Sequence, residues 1–403
     1  MAFYRYQFCD LVTDRPIADL DLTGVSFDRR ICQPGTFSGS VAVTGPETAE
    51  RVARVVGRSD GDLGRGPGRT VVHVWRGDQI WGTYLIWSAE PKSDNRGRVT
   101  VDLSGASLES YLYHRQIRTD LTLAGADQRW LARELVRRME EPRPIGLVPV
   151  TPGEPPDPEI PEESGHVDVA AAEPRSITYR ASDAVSFGEA LEDLSSRVDG
   201  PEWMVRTVVR AGERVREFVV QDQMGQDRTE HVFTQPGNVV AWSYPADASG
   251  AATSWRARGD APDAAPEEEA EPVLSRTWSD PRFEGAGWPL MDRTVDVPGV
   301  TSPAALDEHA RWWAARSSGS VRFPQVTVRL ADRTTLTPDR LGDKARLTLV
   351  NDWFPLVRGS PSFSRSWRVI GIEVTPATRG QGEDTATLIF EEPPDTEPGA
   401  EEP

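Results

Sequence analysis

Histidine, cysteine, carboxylate and one tripeptide, Arg76-Gly77-Asp78, are the groups in this chain that can carry chemistry. The five histidines are His73, His114, His166, His231 and His309, and no two stand at HxxxH spacing, so no helix face offers two imidazoles to one metal. His73 falls inside a strand pattern and His309 beside the apolar face of a helix, which is the setting of a satisfied structural histidine. Cys9 and Cys32 form no CxxC and no disulfide framework; the choice is between one pair joining N-terminal strands and two buried thiols. There is no GxSxG and no Asp-rich calcium loop. Gly64, Gly66 and Gly68 match a phosphate loop in composition alone, because they lead into a strand where a nucleotide loop would open a helix. Adjacent acids such as Glu192-Asp193 are too common to mark a glycosidase, whose two carboxylates are defined by their separation in space. The expectation is no catalytic residue, no cofactor and no metal.

Arg76-Gly77-Asp78 binds an animal adhesion receptor in some proteins. Here it sits in VVHVWRGDQIWGTYLIW (71–87), where Gly77-Asp78 reads as a two-residue hairpin turn. That register sets Trp75 opposite Ile80, Val74 opposite Trp81 and His73 opposite Gly82. The adhesion reading fails on context, since the start MAFYRYQFCDLV is no secretory signal. Arg76, Gly77 and Asp78 are expected to form a polar turn that touches a neighbouring subunit.

The elements holding these residues are mostly strands. Among 403 residues, 34 Gly and 33 Pro favour many turns and several domains. The net charge of −18 is concentrated: residues 151–165, 260–271 and 391–403 carry 17 acids and no base. The remaining body is close to neutral, which argues against nucleic-acid recognition, a task for a basic face. No apolar run reaches the ~18 residues of a membrane helix, so no membrane insertion is expected. The chain reads as a soluble product of a cytoplasm. Helices are expected at about 46–56, from a Pro46 start and a Gly57 stop, and at Asp127 to Glu140 with Leu131, Leu135 and Met139 on one face. A third has a Ser186–Glu189 capping box and a stripe of Phe187, Leu191, Leu194 and Val198. A fourth starts at Ser302-Pro303 and buries Leu306, Ala310 and Trp313.

Two stretches repeat. Arg69–Trp75 aligns with Lys344–Val350, Ile80-Trp81-Gly82 with Val369-Ile370-Gly371, and Val99–Leu103 with Ala386–Phe390. Each is a strand, a link, a strand with a glycine third from its start, a loop and a strand. The second has the longer link, containing Trp353, Phe354 and Trp367. Two copies of one β-domain per chain would let a trimer present six similar domains, mating a three-fold object with a six-fold one.

The segments GTFSGSV, VVHVWRGDQIWGTYLIWS, GASLESYLYHRQIRTDLTLAGADQRWLARELV, YRASDAVSFGEALEDLSSRVDGPEWMV and RVIGIEVTPATRGQGEDTATLIF occur in that order. Together they resemble the minor tail proteins, or baseplate (tail-tip) hub family, of long-tailed phages that infect actinobacteria. The resemblance implies an α+β, β-rich, multi-domain hub with two tube-like β-barrel domains and smaller α/β inserts. It implies a homotrimer at the virion tail tip that contacts the distal tail protein ring, the tape-measure protein and other tail-tip proteins. The corresponding division is a first barrel domain at 1–120, a connecting helix at 121–145 and an acidic Pro-rich linker at 146–176. A small α/β domain at 177–258 and an acidic linker at 259–275 follow. A second barrel-like domain with a helix at 276–392 and a disordered acidic tail at 393–403 complete it. Many such hubs continue into a spike, peptidase or fibre-binding region, whereas this sequence stops in EEPPDTEPGAEEP, which weakens any expectation of wall cleavage. Two other readings compete: a host-glycan binder using exposed Trp, and a β-rich glycan hydrolase.

Overall fold

Alternating apolar residues lay down the first strands of the computed structural model. It describes residues 3–391 apart from 60, 151–174, 198–199, 226–229, 250, 262–270, 298–299, 318–320, 323, 332–334 and 378–381. His166, Val198 and most of the three acidic tracts lie outside the described residues. The chain divides into two units, one of residues 1–241 and 326–389, the other of 242–325 and 390–403.

Unit one begins with β1 (Tyr4–Asp10), β2 (Pro16–Leu20), β3 (Thr23–Arg30) and β4 (Thr36–Val43). Then come α1 (Pro46–Val56), β5 (Thr70–Arg76), β6 (Gln79–Ser93) and β7 (Val99–Ser107). Phe37 and Val41 of β4 point inward, as the alternation predicts. Pro46 occupies the first turn of α1, and Gly57 ends it at φ 77°, where a side chain would strain the backbone. The rings of Phe37 and Tyr84 stack at 5.3 Å, and the buried Tyr84 hydroxyl donates to the Asp28 carbonyl at 3.0 Å.

An α/β layer follows, made of α2 (Glu109–Tyr113), β8 (Leu121–Ala126), α3 (Gln128–Glu140), β9 (Leu147–Val150) and β10 (Arg175–Tyr179). It continues with α4 (Phe187–Ser196), β11 (Glu202–Arg210) and β12 (Glu213–Gln221). Asp127 caps α3 by accepting from the Arg129 amide, and Ser186 and Glu189 complete the expected capping box of α4. Leu131, Leu135 and Met139 meet Phe187, Leu191 and Leu194 in one core with Trp203 and Phe218. Cys9, Val71 and Leu85 of the first sheet belong to the same core, so this layer is seated on that sheet.

β13 (Glu230–Gln235) and β14 (Val239–Ser243) precede the second unit. That unit holds β15 (Ala246–Asp247), β16 (Ser254–Arg258), β17 (Trp278–Ser279), α5 (Pro281–Gly285), β18 (Asp292–Asp296), α6 (Pro303–Ser317) and β19 (Val321–Arg322). Leu306 and Ala310 of α6 pack on Ala257 of β16, and Trp313 stacks on Trp255 at 5.8 Å, as the helical stripe predicts.

The chain then returns to unit one through β20 (Gln325–Arg329), β21 (Lys344–Leu349), β22 (Leu356–Val357), β23 (Ser360–Pro361), β24 (Phe363–Thr375) and β25 (Thr385–Phe390). The large sheet runs β14-β20-β25-β24-β3-β4-β7-β6-β5-β1-β2, with β21 joining β24 to β13. The fold is thus β-rich and α+β, and no closed barrel is found among the described strands.

The repeat is present as topology. β5, β6 and β7 form an antiparallel meander in which the long middle strand pairs β5 through 79–85 and β7 through 84–93. In the second meander, the long β24 pairs β21 through 363–368 and continues beside β25. The two are joined through β3 and β4: β24 pairs β3 from Phe27↔Val374 to Arg30↔Gly371, β3 pairs β4, and β4 pairs β7. The glycine used to align them is not equivalent. Gly82 pairs Val74 and leaves room for the Tyr84 ring, which would meet a Cβ at 2.4 Å; Gly371 lies on the far half of β24.

Candidate assembly site

The β5–β6 turn is tight, with Arg76↔Gln79 and Trp75↔Ile80 paired as expected. Gly77 takes φ 62° at the first central position, where a type II′ hairpin turn calls for glycine. Beyond Ile80 a β-bulge moves the register by one, so Val74 faces Gly82 and His73 faces Thr83. The extra residue is Trp81, and the bulge turns its buried ring towards Arg76, whose guanidinium lies 4.6 Å from the ring centroid. Arg76 Nη2 donates to the Ala331 carbonyl at 2.8 Å and to Asp384 Oδ2 at 3.3 Å. Asp384 also accepts from the Ala377 amide at 2.9 Å. Of the tripeptide, then, Arg76 is spent inside the chain, while Gly77 and Asp78 are exposed at the tip. Sequence alone did not reveal Asp384 as its partner; an arginine between the half-buried Trp75 and the buried Trp81 was the available signal.

The second meander has a different connection. Between β21 and β24 lies an additional hairpin, β22–β23, turned by Arg358 at φ 52° and Gly359 at φ 86°. The hairpin and the loop before it carry exposed apolar residues: Trp353 in the loop is 78% exposed, and Leu356 and Val357 of β22 are each 55% exposed. Asn351 holds its base by accepting from the Trp353 and Phe354 amides at 3.0 and 2.9 Å.

Two histidines sit in buried polar clusters. His73 Nε2 lies 2.9 Å from Asp14 Oδ1 and its Nδ1 lies 2.8 Å from Thr83 Oγ1, which is 2.8 Å from Thr207 Oγ1. Asp14 also takes Arg214 Nε at 2.6 Å and Arg216 Nη2 at 2.8 Å. Burial lowers the His73 pKa below its ordinary value, against the pull of Asp14. Burial pushes Asp14 up, but the hydrogen bond and charge of His73, with Arg216 and Arg214, outweigh it and hold Asp14 at about 2. Cys9 completes a trio whose ligand atoms lie within 4.8 Å of one another. The trio does not suit a cation: both Asp14 oxygens already bind guanidiniums, Arg214 stands 3.7 Å from Cys9 Sγ, and burial pushes the thiol up to about 12. Its effect is to tie β1, β5 and β6 to β11 and β12. His231 makes the corresponding pair of contacts, to Thr335 at 2.9 Å and Asp343 at 3.2 Å.

The other candidates are dispersed. Cys9 and Cys32 are free thiols. The exposed His114 packs on Trp87 in a tilted arrangement at 4.2 Å, and His309 is half-buried on α6. Glu192 faces Tyr113, while Asp193 pairs with Arg197 at 2.7 Å.

Solved structures of tail proteins share this architecture. A 43 kDa tail protein of prophage MuSo2 from Shewanella oneidensis matches with TM-score 0.59 at 10% identity, over 96% of this chain and 98% of that one. A tail protein from Neisseria meningitidis MC58 matches with TM-score 0.55 at 14% identity, over 97% and 98%. Prophage tail protein gp18 from Listeria monocytogenes EGD-e matches with TM-score 0.52 at 10% identity, over 96% and 95%. No protein-family model matches the chain, and no curated protein matches it in sequence. The chain has the fold of these tail proteins from end to end, and at such identities the likeness defines the fold alone.

Proposed function

We propose that this chain is a structural component of a phage tail tip, a hub of the minor tail protein type, in a long-tailed phage of actinobacteria. It assembles as a homotrimeric ring that adapts a six-fold tail tube to a three-fold tip and takes part in host attachment and genome delivery. The observation that carries this reading is the fold likeness, which spans nearly the full length of both this chain and prophage tail proteins. The two joined meanders support it, because a module present twice per chain makes six in a trimer. In this reading the expected tube-like β-domains are the walls built on β5–β7 and on β21, β24 and β25. The Gly77-Asp78 tip and the apolar β22–β23 hairpin face neighbouring subunits, and the ring meets the distal tail protein and the tape-measure protein.

Sedimentation of the purified chain, alone and with its distal tail neighbour, tests the proposal. A trimer at micromolar concentration is expected. A chain that stays monomeric under both conditions would sink it. Imaging of virions with a tagged chain should place the tag at the tail tip, and a tag along the tube or at the head would refute the location.

A further inference from the structure

An open cleft of about 680 Å³ lies in unit one between the turn after α2 and the end of α3. Its floor is apolar, made by the buried Ile117, Leu121 and Phe187. Its walls carry four guanidiniums, those of Arg115, Arg118, Arg138 and Arg143, against one carboxylate, Glu141. Arg115 rests on Tyr111 with its centre 5.9 Å from the ring, and Arg138 bonds Glu134 at 2.7 Å. Arg118 and Arg143 are exposed and have no ion-pair partner among the described residues. The loop bearing Arg143 is pinned by Glu140, whose Oε2 accepts from the amides of Ile145, Gly146 and Leu147 at 2.9, 2.8 and 3.2 Å. A pinned loop presents its cation at a fixed place, which lowers the ordering cost of binding an anion. Such a concentration of positive charge is unexpected in a chain of net charge −18.

A floor of apolar side chains under a rim of arginines suits an extended peptide that mixes carboxylates with prolines and aliphatics. The chain contains such a sequence between β9 and β10. Residues 151–174 hold seven acids and six prolines, with Ile160, Val167 and Val169, and no Lys or Arg. This tract follows β9, which begins four residues after Arg143, and it precedes β10, whose Tyr179 pairs with Leu121 of the cleft floor. Twenty-four residues span up to about 80 Å when extended, ample for a path from Val150 into the cleft and back to Arg175. We infer that the cleft is a binding site for an acidic, proline-rich peptide, and that its occupant is the chain's own tract 151–173. The inference is independent of the assembly role.

The test compares the full chain with a version whose residues 151–173 are replaced by a Gly/Ser sequence of equal length. A labelled synthetic peptide of residues 151–173 is titrated into each, with fluorescence anisotropy as the readout. The peptide should bind the replaced chain, at least tenfold more weakly in 300 mM than in 20 mM NaCl. It should bind the unaltered chain at least tenfold more weakly than the replaced chain, because the tract already fills the cleft. Arg118→Glu with Arg143→Glu in the replaced chain should reduce binding at least tenfold. These two side chains are exposed, and an unchanged melting temperature would show that the variant folds. Absence of peptide binding to the replaced chain, equal binding to both chains, or indifference to the double variant would each overturn the inference. Binding of inorganic polyphosphate without the peptide would also overturn it, making the cleft a phosphate-polymer site.

Discussion

Arg76 Nη2 lies 3.3 Å from Asp384 Oδ2, an ion pair closed across 308 residues of sequence with both side chains only 4% exposed. The same guanidinium covers the Trp81 ring and donates to the Ala331 carbonyl. The first meander is thereby fastened to the loop that leads into β25. Removing one partner of such a pair leaves the other charge buried without its counterpart.

Arg76→Ala should therefore destabilise unit one by ~3–5 kcal/mol. Asp78→Ala, at the exposed tip of the same turn, should change stability by less than ~0.5 kcal/mol. Urea unfolding of both variants checks this, and equal effects would contradict the structural role of Arg76.

The His73–Asp14 cluster predicts acid sensitivity in two steps. The folded-state pKa of His73 is depressed below 6.5, so the unfolded chain takes up a proton there that the folded chain declines. Stability should fall as pH drops below 6.5, by at most ~1.4 kcal/mol per pH unit from this group. Asp14, held at about 2 instead of 3.8, contributes stability above pH 3.8 that is lost as pH falls towards 2. His73→Gln should flatten the first step, measured as the difference in urea midpoint between pH 7 and pH 5.

Both thiols should be inert in the folded chain. Burial pushes Cys9 up to about 12 and Cys32 to about 11, so neither is a thiolate at neutral pH. A thiol reagent at pH 7.5 should label neither within minutes and both after denaturation. Rapid labelling of either in the folded chain would contradict this burial.

Gly342 has φ 97°, and a Cβ there would come within 2.1 Å of the Met224 carbonyl oxygen. Arg368 donates to that same carbonyl at 2.9 Å and to Glu202 at 2.7 Å, linking β24 to β11. Gly342→Ala should cost ~2–4 kcal/mol through strain and displacement of this junction. A melting temperature within a degree of the unaltered chain would be the contrary result.

If the β22–β23 hairpin is a subunit contact, replacing Trp353, Leu356 and Val357 by Ser should leave the melting temperature nearly unchanged. The same variant should shift the sedimenting species from trimer towards monomer by at least tenfold in dissociation constant. An unaltered trimer would move the interface elsewhere.

Local signals were legible where local chemistry decides. Pro46, Gly57, Asp127, Ser186 and Glu189 bound helices in the structure as their types and positions predict. The β5–β6 turn was legible for the same reason, but its register was correct for one cross-strand pair beyond the turn. The bulge sets Trp81 against Arg76, whose partner is the distant Asp384, and no pattern within 71–87 contains that partner. The repeat was legible as strand order, while its glycine alignment failed because Gly82 accommodates the ring of Tyr84. The buried clusters went unseen because Asp14, His73 and Arg216 are distant in sequence and each is unremarkable alone.

The pairing of β3 with β24 also sets a timetable for synthesis. β3 is complete at residue 30, but the strand that covers its free edge ends at Thr375. At ~5–20 residues per second, that edge waits about 20 to 70 seconds on the ribosome for its partner. Asp28, Arg29 and Arg30 lie along it, and charges on an open edge discourage pairing with other nascent chains. Every chain of this design is born with its central seam open and closes it only when nearly all of its sequence has been made.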